Sequence, residues 1–256
     1  MAGMPTSVAS PPTLAIAEAL HGKLVFVFGG SAGMGEAIAR LAADNGARVA
    51  IAARSRDRLA AVSENLGAQS AGYHCLDMGD EAAVGAALRS HGSIDHIVVT
   101  AASLSFRPSD RLERAEIEAM LNSKFWGPLH VARVAKSVLS AQGSITLFSG
   151  VAAYRQTADT AVLGGLNLYL ESFAAGLALD LAPRRVNVIS PGITDTSLWS
   201  RQDEATRADF YARVAGDLPV RRIGSVADIA HAALAVMSNG FINGTVVNVD
   251  GGARIV

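Results

Sequence analysis

The chain has 256 residues, half of them apolar, so it can bury a core large enough for one or two domains. Lysine and arginine number 22 and aspartate and glutamate 23, and this net charge of −1, without a long basic run, argues against a nucleic-acid-binding protein. Cys75 is the single cysteine, which excludes an internal disulfide, gives no metal-ligand cluster and predicts a reducing compartment, the cytoplasm.

The first 21 residues, Met1–His21, are rich in alanine, serine and proline. They lack the basic start and continuous apolar run of a secretory signal, and no membrane span is expected there. We predict a flexible arm with a short amphipathic turn from Leu14 to Leu20. No linker or internal repeat divides residues 22–256, which we therefore expect to form one domain.

The first apolar run leads into a glycine-rich turn that opens a helix, in the order Leu24-Val25-Phe26-Val27-Phe28-Gly29-Gly30-Ser31-Ala32-Gly33-Met34-Gly35. Backbone N–H groups at the start of such a helix point at one spot, which suits a phosphate. A glycine at Gly29 permits a tight exit from the strand, Gly33 lets backbone approach a pyrophosphate, and Gly35 lets helix and strand pack closely. The spacing predicts a dinucleotide site that includes Gly29, Ser31, Gly33, Met34 and Gly35.

The second strand ends beside Ala53 and Arg54. A site for NAD would place a carboxylate here to bind the ribose 2′-hydroxyl, whereas the 2′-phosphate of NADP requires a guanidinium instead. Arg54, with the hydroxyl donors Ser31 and Ser55, is therefore the predicted 2′-phosphate clamp, and NADP(H) is the predicted cofactor. The alternative is that Arg54 is a solvated surface residue.

Strand-like runs and helical periodicity alternate along the rest of the chain, which is typical of a parallel sheet covered by helices on both faces. The predicted strands are Leu24–Phe28, Arg48–Ala52, Ala71–Cys75, Ile94–Val99, Ser144–Phe148, Arg185–Ile189 and Thr245–Val249. The predicted helices are Gly33–Asn45, Arg56–Leu66, Asp80–His91, Asp110–Ser140, Ala161–Leu181, Asp203–Ala215 and Ser225–Ser238. We predict an α/β, three-layer, doubly wound Rossmann fold with a seven-stranded parallel sheet, whose ligand lies beyond the carboxyl ends of the strands.

Three further motifs accompany the glycine turn: Asp77 after the third strand, the run Arg185–Thr196 (Arg-Val-Asn-Val-Ile-Ser-Pro-Gly-Ile-Thr-Asp-Thr), and the tail Asn243–Gly252. With that turn, they resemble the short-chain dehydrogenase/reductase family from Lys23 to Gly252. The resemblance implies a small-molecule substrate and a homodimer or homotetramer paired through the two long helices.

The resemblance also implies roles for individual residues in cofactor binding. Asp77 would bind the adenine amino group, although aspartate is also a common helix N-cap. Ile193 would offer its backbone to the nicotinamide carboxamide. The other residues that the resemblance places at the cofactor are Met78, Thr100, Ala101, Pro191, Gly192 and Thr196.

The sequence departs from the family pattern at the cofactor wall and among the catalytic residues. The family turn usually begins with threonine, where this chain has Phe28, and the family's Asn-Asn-Ala-Gly is here Thr100-Ala101-Ala102-Ser103. Its helix asparagine falls on Lys124. The Tyr-x-x-x-Lys pair aligns with Leu163 and Asn167, so of the usual catalytic residues only Ser149 remains.

No register shift restores the missing pair. Tyr154 lies too early and Tyr169 too late, and no lysine follows Lys136. Without the tyrosine acid, reduction of a ketone is expected to lose a factor of roughly 10²–10⁴. An iminium carbon takes hydride and becomes a neutral amine without any proton being delivered, so this class of acceptor escapes the requirement.

The predicted catalytic residues are Asp159, Lys124 and Ser149. Asp159 would stabilise a substrate cation, Lys124 would pair with it or donate a proton, and the Ser149 hydroxyl would bind a substrate oxygen. The alternatives are a loop-surface acid for Asp159, a lysine that holds a helix kink and fixes water for Lys124, and strand-end hydrogen bonding for Ser149.

An aromatic roof over the substrate is predicted around Phe106, Trp199, Phe210 and Tyr211, which suits a bulky polycyclic or prenylated substrate, although lid aromatics also serve ordinary packing.

Three functional hypotheses follow from the sequence. The first is an NADPH-dependent reductase of an iminium or conjugated acceptor. The second is a cyclase on the same fold, which is either a bifunctional reductase and cyclase of intramolecular Diels–Alder type or a non-redox cyclase. The third is a catalytically silent NADP(H)-binding protein. Ketone reduction with Lys124 as a replacement acid stays open.

Overall fold

The computed structural model describes residues 16–199 and 203–256, and the predicted α/β fold is confirmed. Its seven strands form one sheet in the order β3-β2-β1-β4-β5-β6-β7, with every neighbouring pair parallel. The strands are β1 Leu24–Phe28, β2 Arg48–Ala53, β3 Ser70–Cys75, β4 Ile94–Val99, β5 Leu139–Phe148, β6 Arg185–Pro191 and β7 Val246–Val249. The strand order reverses between β1 and β4, where a ligand crevice is expected in this topology.

The α-helices in the described residues cover both faces of the sheet and give it three layers. They are α1 Ile16–Leu20, α2 Gly33–Asp44, α3 Arg56–Asn65, α4 Glu81–Arg89, α5 Arg114–Leu121, α6 Gly127–Val138, α7 Ala161–Asp180, α8 Glu204–Asp217 and α9 Val226–Ser238. Side chains alternate across β1, so Phe26 and Phe28 pack toward α4, α6 and α7, while Val25 and Val27 pack toward α1, α2, α3 and α9. Two apolar cores result, one on each face.

The long helix that the sequence predicted over Asp110–Ser140 is interrupted. It begins at Arg114 as α5, widens into a π-helical segment at Asn122–Trp126, and continues as α6. Pro128 explains the break, because it has no N–H to donate and its ring crowds the carbonyl four residues earlier, that of Lys124. The segment that follows α6 belongs to β5, which starts at Leu139 and therefore earlier than predicted.

Part of the predicted N-terminal arm is packed on the domain. Residues 16–20 form α1, and the Leu20 side chain is fully buried in the core that α9 also lines. The N–H of Gly22 then donates to the main-chain oxygen of Gly46 at 2.8 Å. Residues 1–15, which include the rest of the predicted arm and Leu14, lie outside the described residues.

Helix α7 is long and apolar enough to cross a membrane by length and composition. In this fold it packs on β5 and β6 and against the π-helical segment. Its inward face is buried at Leu170, Ala174 and Leu177, which is the environment of a core helix.

A candidate nucleotide and substrate site

Two adjoining cavities lie at the carboxyl ends of the strands, beside the glycine-rich turn. The smaller, of about 430 Å³, follows the ends of β1, β2 and β4, and the larger, of about 660 Å³, follows the ends of β5 and β6. Thr100 and Ala102 line both. The two cavities together form an extended cleft over the point where the strand order reverses, as predicted for this sheet.

The glycine-rich turn has the geometry that its sequence indicates. Gly29 adopts a left-handed backbone with a φ of +84°, and a Cβ atom at Gly35 would overlap the carbonyl of Gly29. Helix α2 begins at Gly33, and the side chain of the preceding Ala32 caps none of its N–H groups. The positive end of α2 therefore faces the cleft with N–H groups that an anion can satisfy.

The residues of the predicted phosphate clamp come together at the smaller cavity. Arg54, Ser31 and Ser55 all line it. Ser55 precedes α3, but its hydroxyl does not cap that helix. Arg58, in the first turn of α3, also lines the cavity and was not singled out from the sequence. Its signal was a second arginine close to Arg54, in the first turn of a helix predicted to begin at Arg56.

The opposite wall of the smaller cavity carries Asp77, Met78, Thr100 and Ala101. The Oδ1 atom of Asp77 accepts a hydrogen bond of 2.7 Å from the N–H of Gly79. The residue that caps α4 is Asp80, so Asp77 is not the N-cap that was considered for it. Asp77 keeps its carboxylate at the cavity wall.

Thr100 fixes the wall between the two cavities. Its backbone N–H and its hydroxyl both donate to the main-chain oxygen of Phe28, each at 2.9 Å. Phe28 itself is completely buried. The threonine hydroxyl therefore ties the ends of β1 and β4 together by a side-chain contact, at a position where the sequence departs from the family pattern.

The larger cavity contains the remaining predicted cofactor residues except Gly33 and Gly35, which line neither cavity. The residues placed at its wall are Met34, Thr100, Pro191, Gly192, Ile193 and Thr196. Leu163 and Asn167, one turn apart on α7, line the same cavity. Asn167 is 2% exposed, and its amide donates to the main-chain oxygen of Gly150 at 3.3 Å while its Oδ1 atom has no hydrogen-bond partner.

Lys124 reaches the larger cavity from the π-helical segment. Its Nζ atom donates to the main-chain oxygens of Phe148 at 3.2 Å and Ser149 at 3.4 Å. Burial of the ammonium lowers the pKa of Lys124 to about 8. In the part of the chain that the structure describes, Lys124 does not pair with Asp159. Its contacts agree with the alternative in which it holds a helix kink.

A hydrogen-bond network that the sequence analysis missed joins the buried residues Ser149 and Glu171 to the exposed Tyr154. Ser149 lines the larger cavity, and its hydroxyl donates to Oε1 of Glu171 at 2.8 Å. The Tyr154 hydroxyl donates to Oε2 of the same carboxylate. Its hydrogen bond to Glu171, and then its partial burial, raise the pKa of Tyr154. The available signal was an acidic residue within the apolar run of α7.

Asp159 lines the larger cavity as predicted and is half-buried. The hydroxyl of Thr157 donates to its Oδ1 atom. The carboxylate is thereby oriented at the cavity wall, where it can meet a positively charged group of a substrate.

Three of the four predicted roof aromatics line the larger cavity. Phe106 and Phe210 flank Trp199 with ring centroids 5.9 and 4.9 Å away, and the Trp199 indole donates to the main-chain oxygen of Thr194 at 3.1 Å. Tyr211 does not line the cavity. Its hydroxyl donates to Asp195 at 2.9 Å, and burial, with this bond, raises the pKa of Tyr211 to about 12.

Comparisons with known proteins agree with this arrangement. A family model described as Enoyl-(Acyl carrier protein) reductase matches residues 29–254. The short-chain dehydrogenase/reductase fsr5 of Gibberella fujikuroi is 32% identical over 92% of this chain and 96% of its own. A solved small-chain dehydrogenase in complex with NADPH is 32% identical with a TM-score of 0.80, over 92% of this chain and 100% of its own. MalC reductase/Diels–Alderase from Malbranchea aurantiaca is 26% identical with a TM-score of 0.88, over 94% of this chain and 100% of its own.

The sheet order and the cleft at its switch point define an α/β protein of the Rossmann type. With a family match over residues 29–254 and a relative 32% identical along nearly the whole chain, the class can be stated more closely. The chain belongs to the short-chain dehydrogenase/reductase family, a family of oxidoreductases.

Proposed function

We propose that this protein is an NADP(H)-dependent reductase that transfers hydride to an activated acceptor, an iminium or a conjugated system, on a bulky apolar substrate. The proposal rests on Leu163 and Asn167 of α7, which line the larger cavity and which we align with the tyrosine and lysine of the family pattern. Leu163 and Asn167 are neither acidic nor cationic, whereas the residues proposed to bind the cofactor include Arg54 and the glycine-rich turn.

Support for NADP(H) comes from the walls of the smaller cavity. Two guanidinium groups, Arg54 and Arg58, and two hydroxyls, Ser31 and Ser55, converge there, and Ala53 stands where an NAD site would place a carboxylate. The start of α2 is suited to the pyrophosphate and Asp77 to the adenine amino group. A solved relative of 32% identity binds NADPH. The donor set fits this dinucleotide, whose nicotinamide would supply the hydride.

The larger cavity would bind the apolar part of the substrate and provide a negative charge beside the acceptor. Its roof of Phe106, Trp199 and Phe210 would enclose an apolar skeleton and exclude water. Asp159 would stabilise positive charge on the acceptor. Lys124 would hold the π-helical segment against the end of β5, and Ser149 would contact the reacting group.

Consumption of NADPH, followed by its absorbance, tests the proposal with a panel of cyclic imines, conjugated carbonyl compounds and plain ketones. We expect turnover with the imines or conjugated compounds and little with ketones. Tight NADPH binding without turnover of any acceptor would instead favour the catalytically silent alternative. Rapid turnover of ketones would favour reduction with Lys124 as the acid.

A cyclase activity, alone or after reduction, is a second candidate. It is favoured by the similarity to MalC reductase/Diels–Alderase, with a TM-score of 0.88, and by the apolar cavity of about 660 Å³. A cavity of this size can hold a flexible substrate in a folded conformation. Product formation in the presence of NADP⁺, which has no hydride to give, would show the non-redox step by itself.

A homodimer or homotetramer is also proposed. The outward face of α7 presents Leu168, 42% exposed, and Leu179, 81% exposed, and these two residues lie on the same side of the helix. An apolar stripe of this kind on a long helix is suited to pairing with a second copy of the chain.

A further inference from the structure

The hydrogen-bond network behind Ser149 sets the polarity of the larger cavity. A serine hydroxyl has one hydrogen to donate and two lone pairs that accept. Ser149 donates its hydrogen to Oε1 of Glu171, a residue that lines neither cavity, at 2.8 Å. Ser149 lines the cavity, and because its hydrogen is used by Glu171, its hydroxyl oxygen has only lone pairs to offer to a ligand there.

Both carboxylate oxygens of Glu171 accept hydrogen bonds. Glu171 is 8% exposed, and its second oxygen accepts the hydroxyl of Tyr154, so a carboxylate at this position has hydrogen-bond donors on both oxygens. The guanidinium of Arg254 lies 4.6 Å from the centre of the Tyr154 ring, on the solvent side of the network. Because Glu171 accepts through both oxygens, Ser149 cannot obtain a hydrogen from it while Glu171 is ionised.

We propose that Glu171 makes Ser149 a hydrogen-bond acceptor, so that the cavity selects substrates with an N–H or cationic nitrogen over substrates with a carbonyl oxygen. A hydroxyl hydrogen-bonded to a carboxylate is polarised, and its oxygen becomes a stronger acceptor. A carbonyl oxygen, or the negative charge that develops on it during reduction, would have to take the Ser149 hydrogen from Glu171. Glu171 is thus a positioning residue that acts through Ser149.

This inference rests on the proposed function and, of its two proposed acceptor classes, favours the iminium over the conjugated carbonyl, but it does not depend on hydride transfer. Asp159, at the wall of the same cavity, places a second carboxylate near a bound cation. Lys124 is also at the wall, but its ammonium donates to the main-chain oxygens of Phe148 and Ser149. The preference for nitrogen donors should therefore be measurable in binding alone.

The test compares two ligands of one bicyclic shape, 1,2,3,4-tetrahydroisoquinoline, a secondary amine that is cationic at pH 7, and 2-tetralone, a ketone. Binding to the full chain without nucleotide is measured by calorimetry. We expect the wild type to bind the amine about tenfold more tightly than the ketone. Ser149→Ala and Glu171→Gln should each weaken amine binding about tenfold and change ketone binding less than about twofold.

Glu64→Gln, which removes an exposed carboxylate on α3, is the matched control and should keep the preference for the amine. If Glu171→Gln fails to fold, the affinities of Ser149→Ala for the amine and the ketone test the inference alone. Equal weakening of both ligands in Ser149→Ala, or a wild type that binds the ketone as tightly as the amine, would overturn the inference. NADPH is not used here, so failure of the proposed reductase activity in the acceptor panel is a separate result.

Discussion

Lys124 and Phe148 are joined by a hydrogen bond of 3.2 Å from the lysine Nζ atom to the main-chain oxygen at the end of β5. This contact fastens the π-helical segment to the sheet at the border of the larger cavity. The sequence left three roles open for Lys124: proton donation, pairing with Asp159 and holding a helix kink. The observed contact agrees with the last of these.

Burial of Lys124 predicts a pH-dependent stability. Its pKa is about 8 in the folded chain and is lowered from 10.5 by desolvation, so the folded state disfavours the charged form. Stability should therefore rise as pH increases from 7 to 9.5, by about 2 kcal/mol from this group. Denaturant unfolding of wild type and Lys124→Met measures the difference. Lys136→Met, an exposed lysine on α6, is the control, and an equal pH dependence in wild type and Lys124→Met would contradict the prediction.

Arg54 is predicted to discriminate between the two nicotinamide dinucleotides. Arg54→Ala should weaken NADPH binding roughly tenfold or more and leave NADH binding nearly unchanged, because only NADPH carries the 2′-phosphate. Fluorescence titration measures both affinities. Arg56, two residues along the chain, does not line the cavity, so Arg56→Ala is the matched control. If Arg54→Ala weakens NADPH and NADH binding equally, Arg54 does not bind the 2′-phosphate.

Asp159 is predicted to act on the substrate and not on the nucleotide. Asp159→Asn keeps the size of the side chain and removes its charge, so turnover of an iminium acceptor should fall by roughly a hundredfold or more. The NADPH dissociation constant should stay the same. Asp110→Asn changes an exposed carboxyl group that does not line either cavity and serves as the control. Unaltered turnover in Asp159→Asn would refute the role.

The exposed face of α7 is predicted to be an interface between copies of the chain. Leu168→Glu combined with Leu179→Glu should shift the protein to monomers in analytical ultracentrifugation, because facing copies would then bury like charges. Ala61→Glu places the same charge on an exposed position of α3, on the opposite layer, and should leave the assembly intact. A double variant that sediments like wild type would exclude this face.

The sequence predicted what depends on short stretches of chain. The strands, the turn from Gly29 to Gly35 and the position of Arg54 follow from local periodicity and spacing, and the structure places Arg54 at the cavity beside that turn. The identity of the cavity walls was also largely accessible, because the carboxyl ends of parallel strands meet at one edge of the sheet.

Contacts between distant elements were beyond the sequence. The bond between Ser149 and Glu171 joins residues 22 positions apart and depends on how α7 is rotated against β5. The partners of Lys124 depend on the π-helical segment, whose widened turn shifts the side chain relative to an ideal helix. Neither arrangement is encoded in a local pattern.

The most direct test of the account is the ratio of kcat/KM for two acceptors with NADPH, measured against an enzyme-free control. The iminium ion 2-methyl-3,4-dihydroisoquinolinium needs no proton at the step of hydride transfer, whereas the ketone 1-tetralone does. Since Leu163 and Asn167 supply no acid, we expect the iminium to be preferred by roughly a hundredfold or more. A ketone reduced as fast as the iminium would contradict the account.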